Sequence, residues 1–356
     1  MTSKPERIYW LDHIKALVML MMMLAHMYPR INFSLKEYFY SIIPPLFVSV
    51  SGFLFRPEKY QSPKEFITRR FSTLMLPYFF FSFLAYGLLL LVDNYIDGIP
   101  LTLVNVLKAL LWIVDGNWFY IKFAYNSVLW VLPYLFLIEV EFYFLSKLKK
   151  SFQLIVIVLL CPLGMVLGRQ IEHLPWTFAG SLVGLLFYWF GFLIKENISL
   201  LETRYKPIIF LLSGIISIVF CLSNRGGTDI NVDAYGENPL FFVLSSLAGI
   251  IFFFILTSYT RPNRMLSYIG ANTITVLGLH IPLLLLFPRL IAFFRLEILY
   301  SMIPVSPNDR LNPIIVGLNN ILYILLVIVI QLIIISLLIP IFNKKLYFLL
   351  GREKPK

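Results

Sequence analysis

Long apolar runs alternate with short polar segments along almost the whole chain. A helix needs about 20 mostly apolar residues to cross the roughly 30 Å hydrocarbon core of a bilayer. Ten runs of 16 to 29 residues approach or exceed this length, and we predict a membrane-spanning helix in each. They cover residues 8–28, 38–55, 74–92, 127–146, 152–168, 175–194, 207–222, 239–258, 266–287 and 314–342. The run 101–114 is shorter and contains Asn105 and Lys108, so we predict an interfacial or re-entrant segment there.

The composition agrees with this pattern. Hydrophobic residues make up 59% of the 356 residues and charged residues 14%, whereas soluble proteins average about 45–50% and 25%. We therefore predict an all-α integral membrane protein with a single domain over residues 1–356. The run after Lys4 and Arg7 is longer than the apolar core of a signal peptide, so we expect it to be the first membrane helix.

The distribution of Lys and Arg predicts the orientation of the helices. The net charge is +11, but the basic residues lie between apolar runs, which argues against nucleic acid as a partner. Twenty of the 30 Lys and Arg residues fall on the side of the N-terminus and nine on the other side. By the positive-inside rule, both termini, including the basic tail 343–356, are predicted to be cytoplasmic. We expect a multi-pass protein of the plasma (inner) membrane, in contact with lipid.

Four ionisable residues lie inside the predicted helices, where charge is costly and usually faces the bundle interior or a water-filled cavity. Lys15 and His26 share one face of the first helix, because 11 residues make three turns plus about 20°. Asp12, three residues before Lys15, is placed to pair with it. The pattern fits an aqueous or reactive channel, or an interfacial ion pair with a histidine at the helix end.

Glu139 and His280 are the other two ionisable residues inside the predicted helices. Glu139 is interpreted as a proton relay, a partner of Lys15, or a structural acceptor for a neighbouring helix. His26, Trp130 and His280 are all predicted to lie in the outer half of the bundle. Cys161 and Cys221 lie inside apolar runs, where we expect packing and neither a disulfide nor a metal site.

The segment 56–70 is the densest basic cluster and is predicted to be a cytoplasmic loop before the third helix. Its last residues, Arg69 and Arg70, could anchor the protein to anionic lipid. They could also clamp a polyphosphate, because the guanidinium fork matches phosphate oxygens. On the residues alone, lipid anchoring is the simpler interpretation.

Several segments, taken in order, resemble the acyltransferase-3 family of integral membrane acyltransferases. The family begins with a basic residue, ten others and a histidine, as in Lys15 and His26. Thr73 stands where many members have a further Arg, and Lys15 replaces a frequent Arg. The resemblance covers residues 8 to about 285, within a membrane core of about 8–342. The further matching segments are 49–55 (SVSGFLF), Arg69-Arg70 with Leu76-Pro77-Tyr78, 127–133 (SVLWVLP), and 269–273 (IGANT) with 280–282 (HIP).

The resemblance implies transfer of an acyl group, usually acetyl from acetyl-CoA, to a hydroxyl of a sugar or another cell-envelope molecule, with no metal. It implies that His26 is a general base or a covalent acyl relay, and that Lys15 stabilises negative charge. Glu139 is a further catalytic candidate, and Arg69 and Arg70 would hold the coenzyme phosphates on the cytoplasmic side. Secondary candidates for the site are Trp130, His280 and Asn272, the last as a hydrogen-bonding group that orients a partner.

Two other functions remain open from the residues. A ten-helix transporter for a glycan or a lipid-linked substrate would also carry intramembrane charges and an interrupted helix, as at Pro44-Pro45. The second half of the chain does not repeat the proline pair, which weakens this alternative. The other is an assembly subunit without chemistry, in which Lys15, His26 and Arg70 could all be replaced without effect.

Overall fold

Thirteen α-helices make up most of the part of the chain that a computed structural model describes. The described residues are 8–27, 33–92, 95–96, 99–100, 102–116, 126–171, 174–198, 203–293 and 313–353. The helices are α1 (Tyr9–Ala25), α2 (Phe33–Leu54), α3 (Pro63–Arg70), α4 (Leu76–Val92), α5 (Leu103–Asp115), α6 (Val131–Leu145), α7 (Lys150–Gln170), α8 (Phe178–Glu196), α9 (Lys206–Ser223), α10 (Pro239–Ser258), α11 (Arg264–Ala271), α12 (Thr273–Phe293) and α13 (Pro313–Lys344).

Strands are few and short in the same part of the chain. Two antiparallel pairs occur, β1 (Tyr95–Ile96) with β2 (Ile99–Pro100), and β3 (Thr228–Asp229) with β4 (Ala234–Tyr235). The second pair lies in the connection between α9 and α10. The all-α class predicted from the apolar runs is therefore confirmed.

Among the described residues, seven helical runs are long and apolar enough to cross a membrane, or eight if α11 and α12 together form one bent span. Of the remaining predicted helices, the first is 17 residues long and the second contains Pro44 and Pro45. The count of ten and the cytoplasmic position of both termini therefore stay predictions. Helix α5 has 13 residues, too few to span, as expected for the segment 101–114.

The third helical run begins 11 residues earlier than predicted. Ser62 accepts the N–H of Glu65 at 3.2 Å, Pro63 occupies the first turn, and the helix continues through α3, a π-helical turn (Phe71–Met75) and α4. The prediction that Arg69 and Arg70 lie in a loop was wrong. Their charges, with those of Lys64 and Glu65, lower the hydropathy of a segment that is nevertheless helical.

The ninth predicted helix, 266–287, is broken. Helices α11 and α12 meet at Asn272 with a bend of 84°. The Asn272 side chain donates to the carbonyl of Tyr268 at 2.8 Å, which satisfies a carbonyl at the end of α11. An apolar pattern alone does not reveal such a bend, because both arms are apolar.

Helices α2 and α8 approach so closely that their backbones touch. A Cβ atom added to Gly52 would lie 2.0 Å from the carbonyl oxygen of Tyr188, and one added to Gly191 would lie 1.9 Å from that of Ser49. Small residues at helix crossings permit this approach in membranes. The contact fixes α8 against α2, next to the helices that form the site described below.

The C-terminal segment folds back onto the bundle. A 3₁₀ turn (Tyr347–Leu350) follows α13, and the Leu350 side chain is buried. Gly351, at φ +61°, lies against the Ser72 carbonyl of the π-helical turn. The Arg352 side chain donates to the carbonyl of Ala271 at 3.2 Å. Residues 354–356 of the predicted tail lie outside the described residues.

Candidate active site

Helix α1 and the residue that caps its C-terminal end supply the two residues of the spaced basic and histidine motif. Lys15 Nζ lies 2.7 Å from a carboxylate oxygen of Asp12, so the predicted pairing is confirmed. His26 follows the last helical residue, and its backbone N–H donates to the carbonyl of Met22 at 3.1 Å. Eleven residues of helix separate Lys15 and His26 by about 16 Å along the axis. One small reacting centre therefore cannot contact both side chains.

A cavity of about 160 Å³ lies beside His26. Its wall combines α1, α2, the start of the α6 region, the loop between α9 and α10, and α12. The lining residues are Val18, Met19, Met22, Ala25, His26, Tyr40, Ile43, Pro44, Phe47, Ser127, Val128, Trp130, Val131, Asp229, Asn231 and Leu277. Most of this surface is apolar, with a few polar groups, which is the usual composition of a small-molecule site.

His280 of α12 packs directly against His26. The two ring centroids are 5.7 Å apart. His280 Nδ1 lies 3.2 Å from the carbonyl of Val276 and 3.1 Å from that of Leu277. Both partners are acceptors, so Nδ1 carries the proton and Nε2 has the lone pair in the neutral ring. Nε2 is buried and contacts no hydrogen-bonding group in the described chain.

Trp130 lines the same cavity as His26. A hydrogen bond close to Trp130 in the chain links this segment to α12. Asn126 donates from Nδ2 to the carbonyl of Gly278 at 2.6 Å, and the 3₁₀ turn Ser127–Trp130 follows. The structure thus brings His26 and Trp130 to one cavity and places His280 against His26. That all three lie in the outer half of the bundle stays a prediction.

Glu139 forms a separate buried ion pair. Its carboxylate lies 2.9 Å from Arg70 Nε, and its side chain is 5% exposed. The Arg70 guanidinium also lies near the rings of Tyr60 and Phe66, 6.0 and 5.5 Å from their centroids. Of the three interpretations of Glu139, the structure shows the acceptor for a neighbouring helix. The pair Lys15–Glu139 is not observed, because each residue has another partner.

The other two predicted binding residues are near the C-terminal segment. Arg69 is an exposed side chain 3.3 Å from the carboxylate of Glu353. Asn272 Oδ1 accepts Asn343 Nδ2 at 2.9 Å and Arg352 Nη1 at 3.4 Å. None of Arg69, Arg70, Glu139 and Asn272 lines the His26 cavity, so they could act on the reaction only from another region.

Sequence reasoning missed three polar residues of the cavity wall, Tyr40, Asp229 and Asn231. Asp229 and Asn231 belong to a loop rich in turn-forming residues, where acidic and amide side chains are ordinary. No spacing in the sequence relates them to His26. Only the packing of this loop on the bundle reveals their position.

His13 has a structural position at the opposite end of α1. Its Nδ1 lies 2.6 Å from the Thr260 hydroxyl, and its Nε2 accepts the N–H of Asn263 at 3.3 Å. These contacts fasten α1 to the connection between α10 and α11. Among the described residues, no group of three or more His, Cys, Asp or Glu side chains could hold a metal ion.

Comparison with known protein families gives a match over most of the chain. A family model described as an acyltransferase domain matches residues 8–341, nearly the whole chain. No curated protein matches, and no solved structure matches. The chain therefore belongs to the acyltransferase-3 family and is a membrane acyltransferase.

Proposed function

We propose that the protein is an O-acetyltransferase that moves the acetyl group of acetyl-CoA to a hydroxyl of a cell-envelope sugar or polysaccharide. The observation that carries this proposal is the position of His26 on the wall of a small, mostly apolar cavity, beside His280. An imidazole has a pKa near neutrality in water and is the most frequent general base in enzymes.

In the proposed reaction, His26 accepts the proton of the acceptor hydroxyl. The hydroxyl oxygen attacks the thioester carbonyl, the new C–O bond forms, and the C–S bond breaks. The proton on His26 then passes to the departing thiolate, so that CoA leaves as the thiol. A covalent variant places the acetyl group on His26 first and transfers it to the hydroxyl in a second step.

The cationic residues are suited to the phosphate end of acetyl-CoA, whereas His26 is suited to its acetyl end. The cavity of about 160 Å³ is smaller than the roughly 300–1,000 Å³ of usual small-molecule pockets, too little for a whole coenzyme. Lys15, Arg69 and Arg70 lie away from the cavity and match the charge of coenzyme phosphates. In the proposal they hold the polyphosphate end, while the long, flexible arm of the coenzyme carries the acetyl group toward His26.

The test measures turnover of radiolabelled acetyl-CoA by the purified protein. Because general-base catalysis contributes about 10²- to 10⁴-fold, we expect His26→Ala to lose activity by that factor. Met27→Leu is the matched control, since it changes the next buried residue, which does not line the cavity. Both variants should unfold at the wild-type temperature.

Two results would contradict the proposal. Full activity of His26→Ala would exclude the base and the acyl relay together. Failure of the wild-type protein to bind acetyl-CoA would exclude the donor and favour the transporter alternative.

A further inference from the structure

The loop between α9 and α10, residues 224–238, places two polar side chains on the wall of the His26 cavity. Asp229 ends β3, and Asn231 belongs to the 3₁₀ turn Ile230–Val232. They lie on a chain segment distant in sequence from His26 and from Trp130. The cavity therefore has a histidine from the bundle and a carboxylate and an amide from the loop.

This loop is held firmly against the bundle. Ile230 and Tyr235 are buried. Glu37 of α2 accepts the N–H of Thr228 at 3.0 Å, and Asn224 donates from Nδ2 to the carbonyl of Tyr235 at 3.0 Å. A loop held by hydrogen bonds and buried side chains can keep its other side chains in fixed positions, as a binding site requires.

A hydrogen bond within the loop orients the Asp229 side chain. Oδ1 accepts the N–H of Asn231 at 3.0 Å. Burial raises the pKa of the Asp229 carboxyl to about 6, although the Asn231 N–H and the charge of Lys36 both lower it. The group is therefore mostly ionised at neutral pH. An ionised carboxylate only accepts hydrogen bonds, so a ligand beside it must supply donors such as hydroxyls.

The other side chains of the wall define the shape of the ligand. Trp130 and Tyr40 provide aromatic surface, and the volume of about 160 Å³ suits one small ring. A pyranose ring has apolar C–H faces, which pack on aromatic rings, and hydroxyls at its edge. An apolar pocket with a few fixed polar groups orients such a ligand.

We infer that Asp229, assisted by Asn231, is the residue that determines which acceptor hydroxyl reaches His26. The carboxylate accepts hydrogen bonds from hydroxyls of the sugar ring, Trp130 and Tyr40 pack on the ring, and a neighbouring hydroxyl faces His26. This inference rests on the proposed function, because it assigns the acceptor side of the same cavity.

The test uses two isosteric variants of the full-length protein. Asp229→Asn retains the oxygen that accepts the Asn231 N–H but removes the charge. Asp233→Asn is the matched control on the same loop: Asp233 accepts the Tyr235 hydroxyl at 3.1 Å, does not line the cavity, and has φ +52°, which Asn tolerates. The acceptor probes are the methyl pyranosides of glucose, galactose and mannose, with 1-decanol as an alcohol without a ring.

In Asp229→Asn, we expect the KM for the accepted glycoside to rise about 10- to 100-fold, the effect of losing a hydrogen bond to a charged group. Hydrolysis of acetyl-CoA without an acceptor is measured beside it, so that an effect on the donor reaction is separated from an effect on the glycoside KM. Asp233→Asn should match wild type in both assays. An unchanged glycoside KM in Asp229→Asn would overturn the inference, as would acetyl transfer to 1-decanol and to none of the glycosides.

A binding measurement separates this inference from the proposed function. Methyl glycosides should raise the thermal unfolding midpoint of wild type and of Asp233→Asn, but not of Asp229→Asn, because only ligands that bind the folded state stabilise it. This result needs no turnover. If methyl glycosides do not raise the unfolding midpoint of wild type, the sugar site is overturned. If they raise it but wild type does not turn over acetyl-CoA, only the proposed reaction is overturned.

Discussion

At the scale of single residues, the ion pair between Arg70 and Glu139 shows how a polar residue can be satisfied inside an apolar bundle. The pair is close, at 2.9 Å, and both side chains are largely removed from solvent. A buried charge without its partner is far more costly than the same charge within a pair. The pair therefore limits what Arg70 can do for a coenzyme, because phosphate binding competes with Glu139.

The ion pair predicts an asymmetric mutational response. Glu139→Gln leaves Arg70 without its anion, and we expect a loss of about 3–5 kcal/mol in the free energy of unfolding. The double variant Arg70→Met with Glu139→Gln should recover part of that loss, because no unpaired ion remains. Denaturant unfolding in detergent measures both. Equal stability of wild type and Glu139→Gln would show that the pair is not structural.

At the scale of secondary-structure elements, the crossing of α2 and α8 depends on two glycines. Gly52→Ala and Gly191→Ala would each place a methyl group about 2 Å from a backbone oxygen of the other helix. The helices would have to separate, so we expect little folded protein from either variant. Gly87→Ala in α4 is the control, since its methyl group meets nothing within 4 Å. Size-exclusion chromatography of membrane extracts measures the folded fraction, and normal yields of both crossing variants would contradict the close contact.

Two of the helices differ from those predicted by hydropathy. The third helical run continues through the charged residues of α3, and the ninth is bent at Asn272. Hydropathy detects apolar length, but helix continuity depends on backbone hydrogen bonds and caps, such as that of Ser62. Neither boundary has a strong hydropathy signal.

At the scale of the whole molecule, the orientation in the membrane is a prediction from the Lys and Arg distribution. Cysteines introduced at two exposed positions test it, in a background with Cys161→Ala and Cys221→Ala. Lys59→Cys should be protected from a membrane-impermeant maleimide in intact cells, and Arg225→Cys should react. The opposite labelling pattern would invert the topology and place the His26 cavity near the cytoplasmic surface.

The sequence by itself determined the helical class and the pairing of Asp12 with Lys15, and it predicts a common face for Lys15 and His26. These features depend on composition and on spacing within one helix, where geometry is regular. The tertiary structure decided that Glu139 pairs with Arg70, that His280 packs on His26, and that Asp229 lines the same cavity as His26. Contacts between helices and loops depend on how their surfaces pack, which no spacing along one chain segment can specify.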